Sequence, residues 1–206
     1  MSIAKGLVLT ALALLLCVGP ASAADVDLAV NGGFETGDFT GWAQFPSGPG
    51  QQTIITPGAS GDYAACIENA VSTSGSVIKN NNLAAGLVTP GVSVTITFDA
   101  RGGGAAGGVA FAEFFSEIDG GGVSSSLLLG GAPLALDADP AVWKSFSFTV
   151  MAGPDVSGGL TVQFAAVTGA DPSSTMLLCV DNLQVLVDSS VPTDVASWGR
   201  LKDSFR

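Results

Sequence analysis

The side chains that could do acid–base chemistry in this sequence are carboxylates, because its 206 residues include 18 Asp and Glu and no histidine. The lack of histidine removes the commonest general base and the commonest transition-metal ligand, which excludes the usual serine and cysteine triads. Glycoside hydrolysis needs only two carboxylates about 5 to 10 Å apart. Glu113 and Glu117 are the nearest candidates, since their even spacing places both on one side of a strand. Outward acids in an acidic chain are usually solvated, and we expect a protein that is not an enzyme.

Two other acids stand in positions that demand a partner. Residues 31–35 read Asn-Gly-Gly-Phe-Glu and lead to Gly41-Trp42. The glycines allow a sharp turn, and Phe34 and Trp42 can bury large apolar surface around it, which leaves Glu35 beside the turn. Far along the chain, Asp181 interrupts an apolar run, and an acid at the edge of a core needs a hydrogen-bond partner or a cation.

The elements that must position these acids are β-strands. Apolar residues alternate with Ser and Thr in four runs, whose inward faces would be Val92, Val94, Ile96 and Phe98; Phe146, Phe148 and Val150; Leu160, Val162 and Phe164; and Leu183, Val185 and Val187. Further strands are predicted at 26–30, 53–56, 63–68, 109–116 and 125–129. Without helical periodicity in the body of the chain, this pattern predicts an all-β antiparallel sandwich or jelly roll. Glycine clusters at 102–104, 107–108 and 120–122 are predicted to form flexible hairpin loops.

The two ends of the chain differ from this body. Residues 1–23 carry a lysine, an apolar run and small residues at 21–23, which predicts a cleaved signal peptide and a secreted protein. The apolar run is shorter than a membrane-spanning helix needs. The sandwich domain is assigned to residues 24–188. Residues 189–206 are a linker and a short amphipathic tail with Trp198, Leu201 and Phe205 on one face, which we interpret as a docking or sorting signal; an inert terminus is the alternative.

Charge and cysteine content narrow the partners. Removal of the signal takes away one of 7 basic residues and no acidic one, so the net charge of −11 becomes −12. Nucleic acid and anionic membranes are therefore poor partners, whereas divalent cations and neutral polymers remain open. Cys66 and Cys179 are left after export, and in an oxidising compartment they most simply form a disulfide. Two buried free thiols are the alternative.

Several segments resemble the carbohydrate-binding modules with a galactose-binding-like jelly-roll fold, of the CenC type found in secreted bacterial proteins. The resemblance covers residues 26–187 and is carried by segments 31–35, 41–42, 60–65, 90–101, 143–146 and 180–185. It implies a module that binds or adheres to an extracellular glycan or a cell-surface polymer. A structural surface or matrix protein that uses the same sandwich without binding glycan is the alternative.

The resemblance also implies a structural calcium ion. Its ligands would be the carbonyl of Gly33 and the carboxylates of Glu35 and Asp181, with carbonyls and the loop around Asp62 completing the six to eight oxygens that calcium takes. The alternative is that both acids only accept backbone hydrogen bonds, as acids in turns often do.

The aromatic residues do not predict a clear sugar-stacking surface. Aromatic residues make up 7% of the chain, Trp42 and Trp143 match structural positions of the family, and most phenylalanines are expected to face inward. Phe45, Tyr63 and Phe114 remain as candidate ligand-binding rings. Core or edge packing is the alternative for each of them.

Overall fold

The computed structural model describes residues 25–48 and 51–187, and they form a β-sandwich. The strands are β1 Val26–Asp27, β2 Ala43–Phe45, β3 Gln52–Ile55, β4 Ala64–Asn69, β5 Gly75–Leu83, β6 Ser93–Ala105, β7 Val109–Glu117, β8 Val123–Leu128, β9 Lys144–Met151, β10 Gly159–Val167 and β11 Thr175–Val187. A 3-10 turn follows β8 at Leu129–Gly131. The predicted all-β class is confirmed.

The strands form two antiparallel sheets. Sheet 1 has the order β3-β4-β11-β6-β9, with β1 paired to the far end of β11, and sheet 2 has the order β2-β5-β10-β7-β8. Neighbours in space are mostly distant in sequence, as in a jelly roll. The central strand β11 is long enough to pair with β4 over its first half and with β1 at its end.

The inner faces of the two sheets make the core, and the alternation of apolar residues along the strands places them there. Val94, Ile96 and Phe98 of β6 are buried, as the sequence predicts. Across the core the ring of Phe98 meets that of Phe164 on β10 edge to face, with 4.8 Å between their centroids. Such contacts join the sheets face to face.

Two strands of sheet 2, β2 and β5, were not predicted from the sequence. In β5 the inward positions include Ser76 and Asn80, which are fully buried although they are polar. The Asn80 amide donates to the carbonyls of Val30 and Gly41 at 2.8 and 3.1 Å and accepts from the Val30 amide at 3.1 Å. These partners lie 50 and 39 residues away, so the local sequence pattern carries no sign of them.

The prediction of a flexible loop at 102–104 is wrong, because these glycines lie inside β6. A Cβ atom on Gly102 would stand 2.0 Å from the Leu177 carbonyl oxygen on β11, and one on Gly104 would stand 2.0 Å from the Gly108 carbonyl oxygen. Glycine at these positions therefore allows backbone segments to approach closely, and it does not make the segment a flexible loop. The predicted loop at 120–122 does form the turn between β7 and β8.

The predictions for the chain ends, the signal peptide at 1–23 and the linker and tail at 189–206, lie outside the described residues. Within residues 25–48 and 51–187 there is no helix that is both long and apolar enough to cross a membrane.

Candidate functional site

The loop that carries Glu35 is fixed by its aromatic residues. Phe34 is fully buried and its ring stacks on that of Trp42, with centroids 4.8 Å apart. The Trp42 indole nitrogen donates to the Asn31 carbonyl at 3.1 Å. The loop is thus anchored by apolar burial on one side, and Glu35 is left exposed on the other.

The Glu35 side chain binds backbone amides of the neighbouring loop. Its carboxylate accepts hydrogen bonds from the amides of Asp62 at 3.2 Å and Tyr63 at 3.3 Å. Gly61 permits this approach, because a Cβ there would lie 2.3 Å from a Glu35 carboxylate oxygen and its φ is +68°. Glu35 therefore clamps two loops together.

Asp181 makes a similar clamp from the buried side. It is 1% exposed, and its Oδ2 accepts from the amides of Ala59 and Ser60 at 2.8 and 3.2 Å, while Oδ1 accepts from the Asn182 amide at 2.7 Å. Burial raises the pKa of Asp181 above its ordinary value, and the negative charge of Glu35 raises it further, although the three amide hydrogen bonds act in the opposite direction.

The oxygens around Gly33 match the chemistry of a calcium site. A Cβ on Gly33 would lie 3.8 Å from both Asp181 Oδ1 and Asn182 Oδ1 and 3.6 Å from Glu35 Cγ, so these three side chains converge on one place. The Asp181 and Asn182 atoms are oxygens, the donor type that calcium prefers, and both already accept a hydrogen bond, from the Asn182 amide and the Ser60 hydroxyl. Among residues 25–48 and 51–187 no group of three or more His, Cys, Asp or Glu side chains is placed to hold a metal, so carbonyl, amide or water oxygens would have to complete the shell.

The predicted disulfide is confirmed. Cys66 on β4 and Cys179 on β11 are directly opposite each other, with 4.0 Å between their Cα atoms, and their sulfurs are bonded. The bridge joins residues 113 apart in sequence.

The three candidate ligand-binding rings lie in different environments. Phe114 is 1% exposed in the core, so its assignment as a ligand-binding ring is corrected: it has no face to offer. Tyr63 is half-buried and lies against Gly37, 3.4 Å from where a Cβ of that glycine would be. Phe45 on β2 is 52% exposed.

The structure reveals an aromatic surface that the sequence analysis missed. In β7 the buried set is Ala110, Ala112, Phe114 and Ser116, so that Phe111, Glu113 and Phe115 point to the outer side of sheet 2. Phe111 and Phe115 are half-buried and are not among the residues packed on the core. Together with Phe45 they form what we call the sheet-2 face: Phe45, Val77, Lys79, Phe111, Glu113, Phe115 and Gln163. Aromatic rings therefore lie on the outer side of sheet 2, which the sequence analysis did not identify.

Polar side chains cross the middle of the sheet-2 face in one row. The strand register places Lys79 of β5 opposite Gln163 of β10, and Gln163 opposite Glu113 of β7. The Gln163 amide nitrogen donates to the Glu113 carboxylate. The next outward-facing positions along the strands hold Phe45 and Phe111 on one side of this row and Phe115 on the other side. A polar row therefore runs between aromatic rings.

Lys79 lies between two of those rings. Its ammonium nitrogen is 5.5 Å from the centroid of Phe45 and 5.4 Å from that of Phe115. Both distances allow a cation–π attraction, which holds the lysine at the centre of the face.

The carboxylate pair considered for hydrolysis is too far apart. Glu113 and Glu117 do lie on the same side of β7, but four residues of strand rise about 13 Å. That exceeds the separation of about 5 to 10 Å that glycosidases use. Glu113 is moreover engaged by Gln163.

No family model and no curated protein matches this sequence. Among solved structures, the chain is similar to a CBM22-1 xylan-binding domain from Paenibacillus barcinonensis, with 12% identity over 83% of this chain and 100% of that chain and a TM-score of 0.55. It is also similar to the enzymatically active domain of tailspike protein 4 of bacteriophage CBA120, with 10% identity over 78% of this chain, a TM-score of 0.58 and only 21% of that longer chain.

A third similar structure is a Stig cyclase from Fischerella sp. TAU, with 17% identity over 80% of this chain and 98% of that one and a TM-score of 0.52. The protein therefore has the jelly-roll fold of carbohydrate-binding modules. Because the cyclase shares this fold, the fold does not determine the function, which depends on the residues of the surface.

Proposed function

We propose that the protein is a secreted, non-catalytic module that binds an extracellular glycan on the sheet-2 face. The observation that carries the proposal is the polar row Lys79, Gln163 and Glu113 lying between the rings of Phe45, Phe111 and Phe115. Similar solved structures that are themselves described as carbohydrate-binding modules support it.

The chemistry of a sugar chain matches this arrangement. A pyranose ring has an apolar face, which stacks on an aromatic ring. Its hydroxyls point outward around the edge of the ring and need hydrogen-bond donors and acceptors beside them. The sheet-2 face offers rings for the first and an ammonium, an amide and a carboxylate for the second. Neighbouring strands lie about 4.8 Å apart, so the five strands span several sugar units.

Binding of a panel of soluble polysaccharides, measured by affinity electrophoresis and calorimetry, tests the proposal. Phe111→Ala and Phe115→Ala should each weaken binding of the preferred polymer about tenfold, since the loss of a stacking ring costs on the order of 1 kcal/mol or more. Met151→Ala is the matched control, because Met151 is 62% exposed on the other sheet. Equal affinity of all three variants and the wild type would refute the assignment of the face.

A structural surface or matrix role is the second candidate. The outer face of sheet 1 favours it, because hydroxyl side chains cover β6 and β9 there: Ser93, Thr95, Thr97, Ser145, Ser147 and Thr149. A wild-type protein that binds none of the polysaccharides would favour this role.

We propose in addition that Glu35, Asp181 and the Gly33 carbonyl hold a structural calcium ion. The ion would neutralise two carboxylates that the fold brings together, one of them buried, and so would stabilise the native state. At a hundredfold excess over its Kd it adds about 2.7 kcal/mol.

A thermal melt tests the calcium proposal. Chelator should lower the Tm by several degrees, calcium should restore it, and Asp181→Asn should abolish the difference. Asp27→Asn is the matched control, since Asp27 also accepts from two backbone amides, those of Ala29 and Val185. An unchanged melt on addition of calcium to metal-free protein would contradict the site.

Export to an oxidising compartment is supported by the disulfide, because such bridges persist mainly in secreted and periplasmic proteins. Fractionation of cells that express the full chain tests it, with the mature protein expected outside the cytoplasm and beginning near residue 24.

A further inference from the structure

The charges on the sheet-2 face are arranged asymmetrically. Lys79 carries a positive charge on β5, Glu113 carries a negative charge on β7, and the neutral Gln163 lies between them on β10. Two strand spacings separate the two charged positions, which is about 10 Å. The face therefore has a cationic side and an anionic side.

Lys79 differs from the other two basic residues of the described chain in donating no hydrogen bond at all. Arg101 donates to the Ala141 carbonyl at 3.5 Å, and Lys144 donates to the Ala135 carbonyl. Within residues 25–48 and 51–187, Lys79 donates no hydrogen bond, so the donors of its ammonium are open to a ligand.

The neighbours of Lys79 hold its ammonium in place without using its donors. The directly opposed residue on β2 is Ala43, which is too small to cover it. The rings of Phe45 and Phe115 flank the nitrogen, and an ionic contact made beside apolar rings is screened less than one in open water. An ammonium with three free donors in such a place suits a carboxylate.

Resting on the glycan-binding function proposed above, we infer that the ligand is an acidic heteroglycan whose carboxylates are spaced along neutral sugars. One carboxylate would bind at Lys79, and a neutral sugar would donate its hydroxyls to Glu113. A polymer with a carboxylate on every sugar would set like charges against each other at Glu113, and the acidic chain as a whole would repel it.

Two matched pairs of polymers test this inference with the purified protein. The first is a xylan with spaced glucuronic acid side groups and the same polymer after reduction of its carboxyl groups to alcohols. The second is partly carboxyl-oxidised cellulose fragments and the unoxidised fragments. Polygalacturonate supplies a carboxylate on every sugar.

In at least one pair the acidic member should bind about fivefold more tightly than its neutral partner, because a partly exposed ion pair contributes about that gain in affinity. Added salt should narrow that difference. Polygalacturonate should bind no more tightly than the neutral members. Lys79→Gln should abolish the preference and Lys79→Arg should retain it. Lys144→Gln should leave it unchanged, although Lys144 also lies over a ring, that of Phe146 at 5.4 Å.

The outcomes separate the two proposals. Equal binding of acidic and neutral partners, with both weakened by Phe111→Ala, overturns the inference and leaves glycan binding intact. Tightest binding to polygalacturonate contradicts the spacing of the charges. Binding that Phe111→Ala and Phe115→Ala leave unchanged, or no binding to any polymer, overturns the proposed function and the inference with it.

Discussion

Replacement of Gly102 by alanine tests the close pairing of β6 and β11 at the centre of sheet 1. The new Cβ would stand 2.0 Å from the Leu177 carbonyl oxygen, whereas real Cβ contacts are essentially never shorter than 3.0 Å, so the two strands must separate locally by about 1 Å or more. Gly102 also has a φ of +143°, which other residues rarely adopt. Overpacking of this kind costs about 1 to 3 kcal/mol, and loss of an adjacent ladder hydrogen bond adds about 1 kcal/mol. We expect a total near 3 kcal/mol.

Gly103→Ala is the matched control in the same strand. A Cβ there meets only the side chain of Pro140, at an ordinary contact distance of 3.5 Å, and removal of a glycine from a strand is neutral or slightly stabilising. Calorimetry should show a Tm lower by about 6 to 12 °C for Gly102→Ala and a Tm near that of the wild type for Gly103→Ala. Equal melting temperatures of the two variants would refute the close pairing and support a flexible glycine segment.

Two further predictions concern stability. Replacement of both Cys66 and Cys179 by alanine should lower the free energy of unfolding by about 4 kcal/mol in urea denaturation, because the bridge joins residues 113 apart and long loops lose most entropy on closure; an unchanged urea midpoint would contradict this. Because burial raises the pKa of Asp181, the folded state binds its proton more tightly than the unfolded state. In chelator, stability should therefore fall as the pH rises above about 4 towards the raised pKa, and Asp181→Asn should remove that part of the pH dependence; a curve that keeps its shape in the variant would argue against a raised pKa.

The main features of the fold could be predicted because they depend on local patterns. Alternation along β6, β9, β10 and β11 predicts their inward faces, and the loop that contains Phe34 and Trp42 contains its own apolar anchors. The disulfide followed from there being two cysteines outside the predicted signal peptide. These inferences need no knowledge of which strand pairs with which.

The sheet-2 face was missed although Phe111 and Phe115 share the side of β7 that carries Glu113 and Glu117, the acids expected to face outward. Both alternating sets of β7 contain phenylalanine, and the sequence does not show that β2, β5 and β10 bring Phe45, Lys79 and Gln163 beside these rings. Two of the inner positions of β7 hold Ala110 and Ala112, which are buried but give only a weak apolar signal in the sequence. The polar row also depends on β5. This strand was not predicted because the buried polar residue Asn80 interrupts the alternation of apolar and polar residues.

Glycan binding at the sheet-2 face is tested most directly by amide chemical-shift mapping of the isotope-labelled protein during titration with an oligosaccharide that it binds. We expect the largest shifts in β5, β7 and β10 around Lys79, Glu113 and Gln163, with little change in β6, β9 and β11. Shifts confined to sheet 1, or to the loops around Glu35 and Asp181, would contradict it.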